Sequence, residues 1–235
     1  CILYTSGTTG QPKGVLIPHR AVTAMALHQP EIQITPDDVV LSATTIACDG
    51  ALTEVFRPLL NGAAIALVET PTPEIADIAD TMIRHKVTAA FWYAALHHLM
   101  IAHRIDAFAT LRFCQQGGDV MSVPMARKLL AAWPDVRLIN GFGPTETCFN
   151  SVMHDVTLDD LAADAVPIGR AMSGEDAFIL DDDLQPVAAG ETGQIAIGGH
   201  GVALGYHNRA DATAQAFVPD PRPGHDGLVY LTGDL

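Results

Sequence analysis

From residue 38 to residue 139, short apolar runs alternate with stretches whose apolar residues recur at helical spacing, and this alternation restricts the fold more than any other feature of the chain. Residues 38–47 (DVVLSATTIA) have the β-branched content of a buried strand, and Gly50 breaks the run. Over 75–86, Ile75, Ile78, Met82 and Ile83 share one helical face while Asp77, Asp80 and Arg84 lie on others, which predicts an amphipathic helix. A strand over 87–92 follows, then a helix near 95–103, a strand at 111–115 and a helix from about 123 to 132 with Ser122 as its cap. A last apolar run, 136–139, leads into Asn140 and a glycine-rich turn, and residues 19–29 are compatible with a further helix. Strands that alternate with helices build a mostly parallel sheet with helices packed on it, and such a sheet takes ligands at its strand ends.

Beyond about residue 150 the character changes to short strands such as 176–180 and 194–198, separated by the turns DDDLQP and AGETGQ. Two parts are therefore expected, an α/β part over 1–150 and a β-rich part over 151–235, with no fixed-period repeat. A 49% hydrophobic content over 235 residues is ample for a packed core. The formal charge of -14, from 27 acidic against 13 basic residues, argues against a nucleic-acid partner, because phosphate-backbone binding needs clustered Lys and Arg. The longest apolar runs, such as 87–96, fall short of the roughly 20 residues a membrane span needs, and no signal segment opens the chain. Cys1, Cys48, Cys114 and Cys148 are scattered without a CxxC pair, so a reducing, cytoplasmic setting is expected. The chain starts at Cys1 and stops at Leu235 without polar, tapering ends, which reads as an internal fragment.

Residues 4–14, YTSGTTGQPKG, suit neither a packed helix nor a strand. Gly7, Gly10 and Gly14 permit close backbone approach, Thr5, Ser6, Thr8 and Thr9 offer hydroxyls, and Lys13 offers a charge, so the segment reads as an anion cradle or as a connecting loop. It is not a Walker loop, because Gly14 rather than Ser or Thr follows the lysine and Pro12 removes a backbone donor.

Four further segments follow in order: ACDG at 47–50, NGFGPTET at 140–147, GETGQIAIGG at 190–199 and YLTGDL at 230–235. Together with the loop they resemble the motifs of the adenylate-forming (AMP-binding) superfamily, most closely the amino-acid adenylation domains of nonribosomal peptide synthetases. The resemblance spans essentially the whole chain and corresponds to the N-terminal core of such a domain. It implies a flavodoxin-like, mostly parallel sheet with helices, followed by a distorted barrel. It also implies ATP-dependent activation of an amino acid as aminoacyl-AMP with release of pyrophosphate, assisted by magnesium, for loading onto a phosphopantetheine thiol. Peptidyl carrier and condensation domains are the expected neighbours. The family's C-terminal subdomain, which carries the lysine that neutralises the reacting carboxylate and α-phosphate, lies outside these residues, so the segment alone is expected to be inactive.

By this resemblance Thr5, Ser6, Gly7, Thr8, Thr9, Gly10 and Lys13 gather the β- and γ-phosphates. Phe142 stacks on adenine, Asn140 bonds its exocyclic amine, and backbone at Gln116, Gly117 and Gly118 walls the base. Gly143 belongs to the same nucleotide-binding motif, Thr145 donates to the α-phosphate, Glu146 holds magnesium and Asp234 accepts from the ribose hydroxyls. Read without the family, Phe142 is core packing, Glu146 a helix-start carboxylate and Asp234 a solvated acid.

Asp49 follows a buried strand, where a lone carboxylate is costly, and in the amino-acid branch it binds the α-ammonium; the plainer alternative is a cap or turn aspartate. The remaining pocket positions map onto Gly50, Thr53, Phe91, Cys114, Gln116, Gly141, Phe149 and Asn150. Gly50 and Gly141 leave space there, which points to a large aromatic or long apolar side chain. Cys48 replaces the aromatic residue usual beside Asp49, and Leu231 replaces the arginine usual in the final motif. His97, His98 and His103 lack the HExxH spacing and read as ordinary helix histidines, GGHGVALG at 198–205 as a turn, and Ser6 lacks a nucleophile elbow. The competing readings are an acyl- or aryl-CoA ligase, which lacks a counterpart to Asp49, and a noncatalytic nucleotide-binding module.

Overall fold

A computed structural model of the chain describes residues 1–5, 11–163 and 165–235. In chain order these residues form β1 (Ile2–Thr5), β2 (Lys13–Leu16), α1 (His19–Leu27), β3 (Val39–Ser42), α2 (Gly50–Leu60), β4 (Ala64–Leu67) and α3 (Ile75–His85). There follow β5 (Ala89–Tyr93), α4 (Ala94–His103), β6 (Phe113–Gly117), α5 (Val123–Ala132), β7 (Arg137–Phe142) and β8 (Val152–Asp155). The chain continues with β9 (Arg170–Ala171), β10 (Glu175–Leu180), β11 (Gln194–Gly199), α6 (Ala210–Ala216), β12 (Phe217–Pro219) and β13 (Leu228–Leu231). The elements group into two compact units, one of Cys1–Glu31, Gly143–Val152 and Arg170–Leu235, the other of Ile32–Phe142 and Met153–Gly169.

In the second of these units the expected parallel sheet is present, with strand order β4-β3-β5-β6-β7-β8. The register is parallel throughout β4 to β7: Val39 pairs with Ala64, Val40 with Ala89, Ala89 with Phe113 and Phe113 with Arg137. Leu41, Ile78, Met82, Met100, Phe108, Leu129 and Leu138 form the core between sheet and helices. Helix α3 buries Ile78 and Met82 as its spacing predicts, while Ile83 is 47% exposed and marks the edge of the apolar stripe. Helix α5 begins at the predicted cap, where Ser122 Oγ accepts from Met125 N at 3.5 Å. The strand expected over 38–47 is shorter, β3 ending at Ser42, and Gly50, expected to break that run, opens α2. The helical period is blurred there because its buried residues include Thr53, Glu54 and Arg57 beside Ala51 and Leu52.

The other unit contains the N-terminal segment as well as the β-rich part, so contacts do not divide the chain at residue 150 as expected. The reason is a long-range pairing. Strand β2 is antiparallel to β1, and Leu16 also donates from its N to Gly205 O and accepts from Leu204 N, both at 2.9 Å. The described strands after β9 form an open antiparallel sheet of order β10-β11-β13-β12 rather than a closed barrel. Residues 200 and 201 do make the turn expected after β11, which ends at Gly199.

That turn is anchored by Glu175, a buried carboxylate whose Oε1 and Oε2 accept from Gly201 N at 3.0 and 3.3 Å. Burial raises its pKa from 4.5 to about 8, with Asp176 adding to the rise and the Gly201 bond opposing it. A carboxyl with a raised folded-state pKa stabilises the fold fully below its unfolded pKa, and that contribution is lost as pH climbs through about 8. Replacing Glu175 by Gln therefore flattens the decline in urea stability between pH 5 and pH 9, leaving the variant more stable at pH 9 by on the order of a few kcal/mol.

Candidate functional site

The parallel register aligns Trp92 with Gln116, Gln116 with Asn140, and Tyr93 with Gly117, so β5, β6 and β7 end together. Asp49 stands at the start of α2 but makes no side-chain cap bond; its Oδ1 accepts from the Tyr93 hydroxyl at 2.8 Å. The same hydroxyl accepts from Gly50 N at 3.3 Å. Glu54, one turn along α2, holds the approach to Asp49 by accepting from Ala43 N at 3.1 Å, Thr44 N at 3.0 Å and Thr44 Oγ1 at 2.6 Å. Burial pushes the Glu54 pKa up, against these bonds.

The space expected beside Gly50 is taken: a Cβ there would lie 3.1 Å from the Tyr93 hydroxyl oxygen. Thr53 is fully buried, and its Oγ1 accepts from Arg57 Nε at 3.2 Å within α2. Phe91, Cys114 and Gln116 do not share one wall. Phe91 packs edge-on against Phe113 at 5.8 Å, whereas Cys114 and Gln116 alternate to the opposite face of the sheet. On that face His97 Nδ1 lies 3.0 Å from Gln116 Oε1, its Nε2 lies 3.8 Å from Cys114 Sγ, and its ring stacks on Trp92. His97 is thus no ordinary surface helix histidine: burial lowers its pKa to about 4, so the ring is neutral at pH 7. Burial likewise pushes the Cys114 thiol up. Asn140 donates from Nδ2 to Pro167 O at 2.9 Å, which orients its amide, and the backbones of Gly117 and Gly141 approach so closely that a Cβ on Gly117 would lie 3.0 Å from Gly141 O. Phe142 is half-buried rather than part of the closed core.

A second group of expected residues gathers within the other unit. Thr145, Glu146 and Thr147 form a single 3-10 turn. Glu146 is buried, and its Oε1 accepts from the Tyr206 hydroxyl at 2.7 Å. Lys13 Nζ donates to that hydroxyl at 3.3 Å and lies 4.3 Å from the centre of the Tyr206 ring. Phe217 packs against both Tyr206 and Tyr230. Burial and the Glu146 charge push up both tyrosine pKa values, that of Tyr230 to about 12. Lys13, Tyr206, Arg209, Tyr230 and Thr232 line a cavity of about 740 Å³, and Arg209 Nη2 also donates to Gln11 Oε1 at 2.8 Å. Asp234 is exposed at the end of this unit, its N donating to Thr232 Oγ1 at 3.1 Å. Asn150 is buried with its Nδ2 unpartnered, and Phe149 beside it has φ 123. Thr5 pairs in register with Lys13, while Ser6, Gly7, Thr8, Thr9 and Gly10 lie outside the described residues.

Among the described residues no group of three or more His, Cys, Asp or Glu side chains is placed to hold a metal. A single buried carboxylate such as Glu146 nevertheless suits magnesium, which binds through one or two carboxylates and completes its shell with water and substrate phosphate. Lys13 and Arg209 line the cavity with one carboxylate, Asp211, and this excess of positive charge suits an anionic ligand. Tyr93 and Tyr206 are participants that motif reasoning passed over, and His97 one that it set aside as a helix histidine; for Tyr93 the available signal was a polar-tipped aromatic at the carboxyl end of a parallel strand.

A family model described as "AMP-binding enzyme" matches residues 1–207. The chain belongs to the AMP-binding enzyme family. It is 40% identical over 237 residues to a linear gramicidin synthase of Brevibacillus parabrevis, and 36% identical over 237 residues to malpibaldin synthetase of Mortierella alpina. Both alignments take in 100% of this chain but only 3% and 4% of those proteins. Among solved structures, holo-PA1221, an NRPS protein containing adenylation and PCP domains bound to a vinylsulfonamide inhibitor, superimposes with TM-score 0.93 at 33% identity, over 99% of this chain and 40% of that one. The Klebsiella oxytoca NpsA N-terminal subdomain in complex with 3-hydroxybenzoyl-AMSN gives TM-score 0.89 at 29% identity, over 98% of this chain and 57% of that one. The resemblance to nonribosomal peptide synthetase adenylation domains thus holds along the chain. No helix among the described residues is long and apolar enough to cross a membrane.

Gly143, just ahead of the Thr145–Thr147 turn, tests how tightly the turn is built. A Cβ there would lie 2.2 Å from Phe149 O and 2.8 Å from Asn150 Cα, backbone atoms that cannot swing aside. Gly143→Ala is expected to lower urea stability by about 1–3 kcal/mol, as overpacked sites do.

Proposed function

We propose that this AMP-binding chain forms the nucleotide- and substrate-holding part of an adenylation domain, which uses ATP to activate an amino acid as aminoacyl-AMP and releases pyrophosphate. The activated acid then passes to a phosphopantetheine thiol on a carrier domain, with condensation domains as further neighbours. The observation that carries the reading is Asp49, held by the neutral Tyr93 hydroxyl at 2.8 Å beside the ends of the parallel strands. A neutral donor orients a carboxylate without cancelling its charge, and an α-ammonium is the ligand that matches it.

In this reading Lys13 and Thr145 hold phosphate oxygens, Phe142 and the close Gly117–Gly141 backbones flank adenine, Asn140 accepts from its amine, and Asp234 accepts from ribose. Magnesium held at Glu146 would supply positive charge where the phosphates gain negative charge. The protein's share is to set these groups in place before the reaction, because donors already aimed at developing charge need no reorganisation. Pairing with a carrier domain is supported by the adenylation and PCP domains of PA1221.

A second reading, activation of an aryl acid, is favoured by one observation, the 3-hydroxybenzoyl-AMSN complex of the NpsA subdomain. Asp49 speaks against it. Pyrophosphate exchange by the full-length natural protein separates the two. We expect exchange to depend on an amino acid, Asp49→Ala to lower kcat/KM for that acid about 100-fold, the cost of losing one partner of a charge pair, and Glu146→Gln to weaken magnesium dependence. Faster exchange with benzoic acids than with any amino acid overturns the first reading.

A further inference from the structure

We propose that Tyr93 is a substrate-positioning and size-limiting residue of the amino-acid pocket: its hydroxyl sets the Asp49 carboxylate, and its ring occupies the room that Gly50 and Gly118 leave. The proposal rests on the reading of Asp49 as the ammonium partner. Tyr93 ends β5, where the sheet gives way to α4, and its hydroxyl bridges to the first turn of α2 through two bonds, donating to Asp49 Oδ1 at 2.8 Å and accepting from Gly50 N at 3.3 Å. One hydroxyl hydrogen and one lone pair are thereby committed, so the oxygen is located from two directions.

Both glycines make way for this side chain. A Cβ on Gly50 would lie 3.1 Å from the Tyr93 hydroxyl oxygen, and one on Gly118 would lie 3.0 Å from Tyr93 Cδ1, at a backbone φ of +81 that already favours glycine. Gly50, which reads in sequence as open space, and Gly118, which reads as backbone walling adenine, are therefore the seat of a tyrosine. Tyr93 is not core filling: it remains 38% exposed, while Phe91 and Trp92 before it are almost fully buried. Burial and the Asp49 carboxylate both raise its pKa, so the hydroxyl keeps its proton and stays a donor. The substrate class that fits is an α-amino acid whose side chain does not extend over Gly50, in place of the large aromatic that the glycines alone suggest.

The test is pyrophosphate exchange by the full-length natural protein, over a panel of amino acids and the des-amino analogue of the preferred one. Tyr93→Phe keeps the ring and removes the donor; the expected result is a KM for the amino acid raised about tenfold, with the KM for ATP and the kcat/KM for the des-amino analogue unchanged. Tyr93→Ala is expected to shift preference toward bulkier side chains. An unchanged amino-acid KM in Tyr93→Phe, or equal rises for ATP and amino acid, overturns the positioning role, and an unchanged size ranking in Tyr93→Ala overturns the size limit. If the wild-type protein uses the des-amino acid as well as the amino acid, the reading of Asp49 fails instead, and the role of Tyr93 beside it falls with it.

Discussion

Parallel pairing of β5, β6 and β7 without a slip in register is the constraint on which the strand-end arrangement depends. Ala89, Phe113 and Arg137 begin a common row, so the strands finish at a common edge and place Tyr93, Gly117 and Gly141 side by side. A slip of one residue would exchange the faces of every side chain, sending His97's partner Gln116 to the Phe91 face and Phe113 toward the helices. The register is held because Ala90, Cys114 and Leu138 are buried in one apolar cluster. Burial of an apolar row thus fixes where polar groups appear several residues later, at strand ends that carry no apolar signal of their own.

Polar groups then do locally what the core cannot. Glu54 and Arg57 are each only 1% exposed, and both are engaged with nearby main-chain or hydroxyl groups: Glu54 gathers Ala43 and Thr44, and Arg57 bonds Thr53 and Ile32 O. These bonds shape the turn between β3 and α2 that presents Asp49. Removing one partner would leave the other buried and unsatisfied, which costs more than the bond itself contributes. A loop assembled this way is held at a few points, which leaves the Asp49 carboxylate in one orientation against Tyr93.

The same polar burial explains what could be read from the sequence and what could not. Helices α3 and α5 and strands β5 to β7 were legible because their buried residues are apolar and follow the period of the element. Helix α2 was not, because Thr53, Glu54 and Arg57 occupy its buried face and Gly50 and Pro58 sit inside it. The change of composition near residue 150 was legible, but composition cannot report that Leu16 pairs with residues 204 and 205. Within the candidate site, residues in glycine-rich motifs stood out. Their partners did not: Tyr93 falls just past the strand expected over 87–92, within an apolar run, His97 reads as one of several helix histidines, and Tyr206 follows a turn.

Tyr93 and Tyr206 have one physical role in common that neither position suggests alone. Each presents a hydroxyl to a carboxylate, Asp49 at 2.8 Å and Glu146 at 2.7 Å, and burial together with the carboxylate charge keeps each phenol protonated. A lysine or arginine in either place would orient the carboxylate equally well, but it would also neutralise it. A phenol orients and leaves the charge, at the cost of burying an aromatic ring that must itself be seated, by Gly50 and Gly118 in one case and by Phe217 in the other. The glycines and aromatics around the two acids are then the seats of the two phenols that hold them in place.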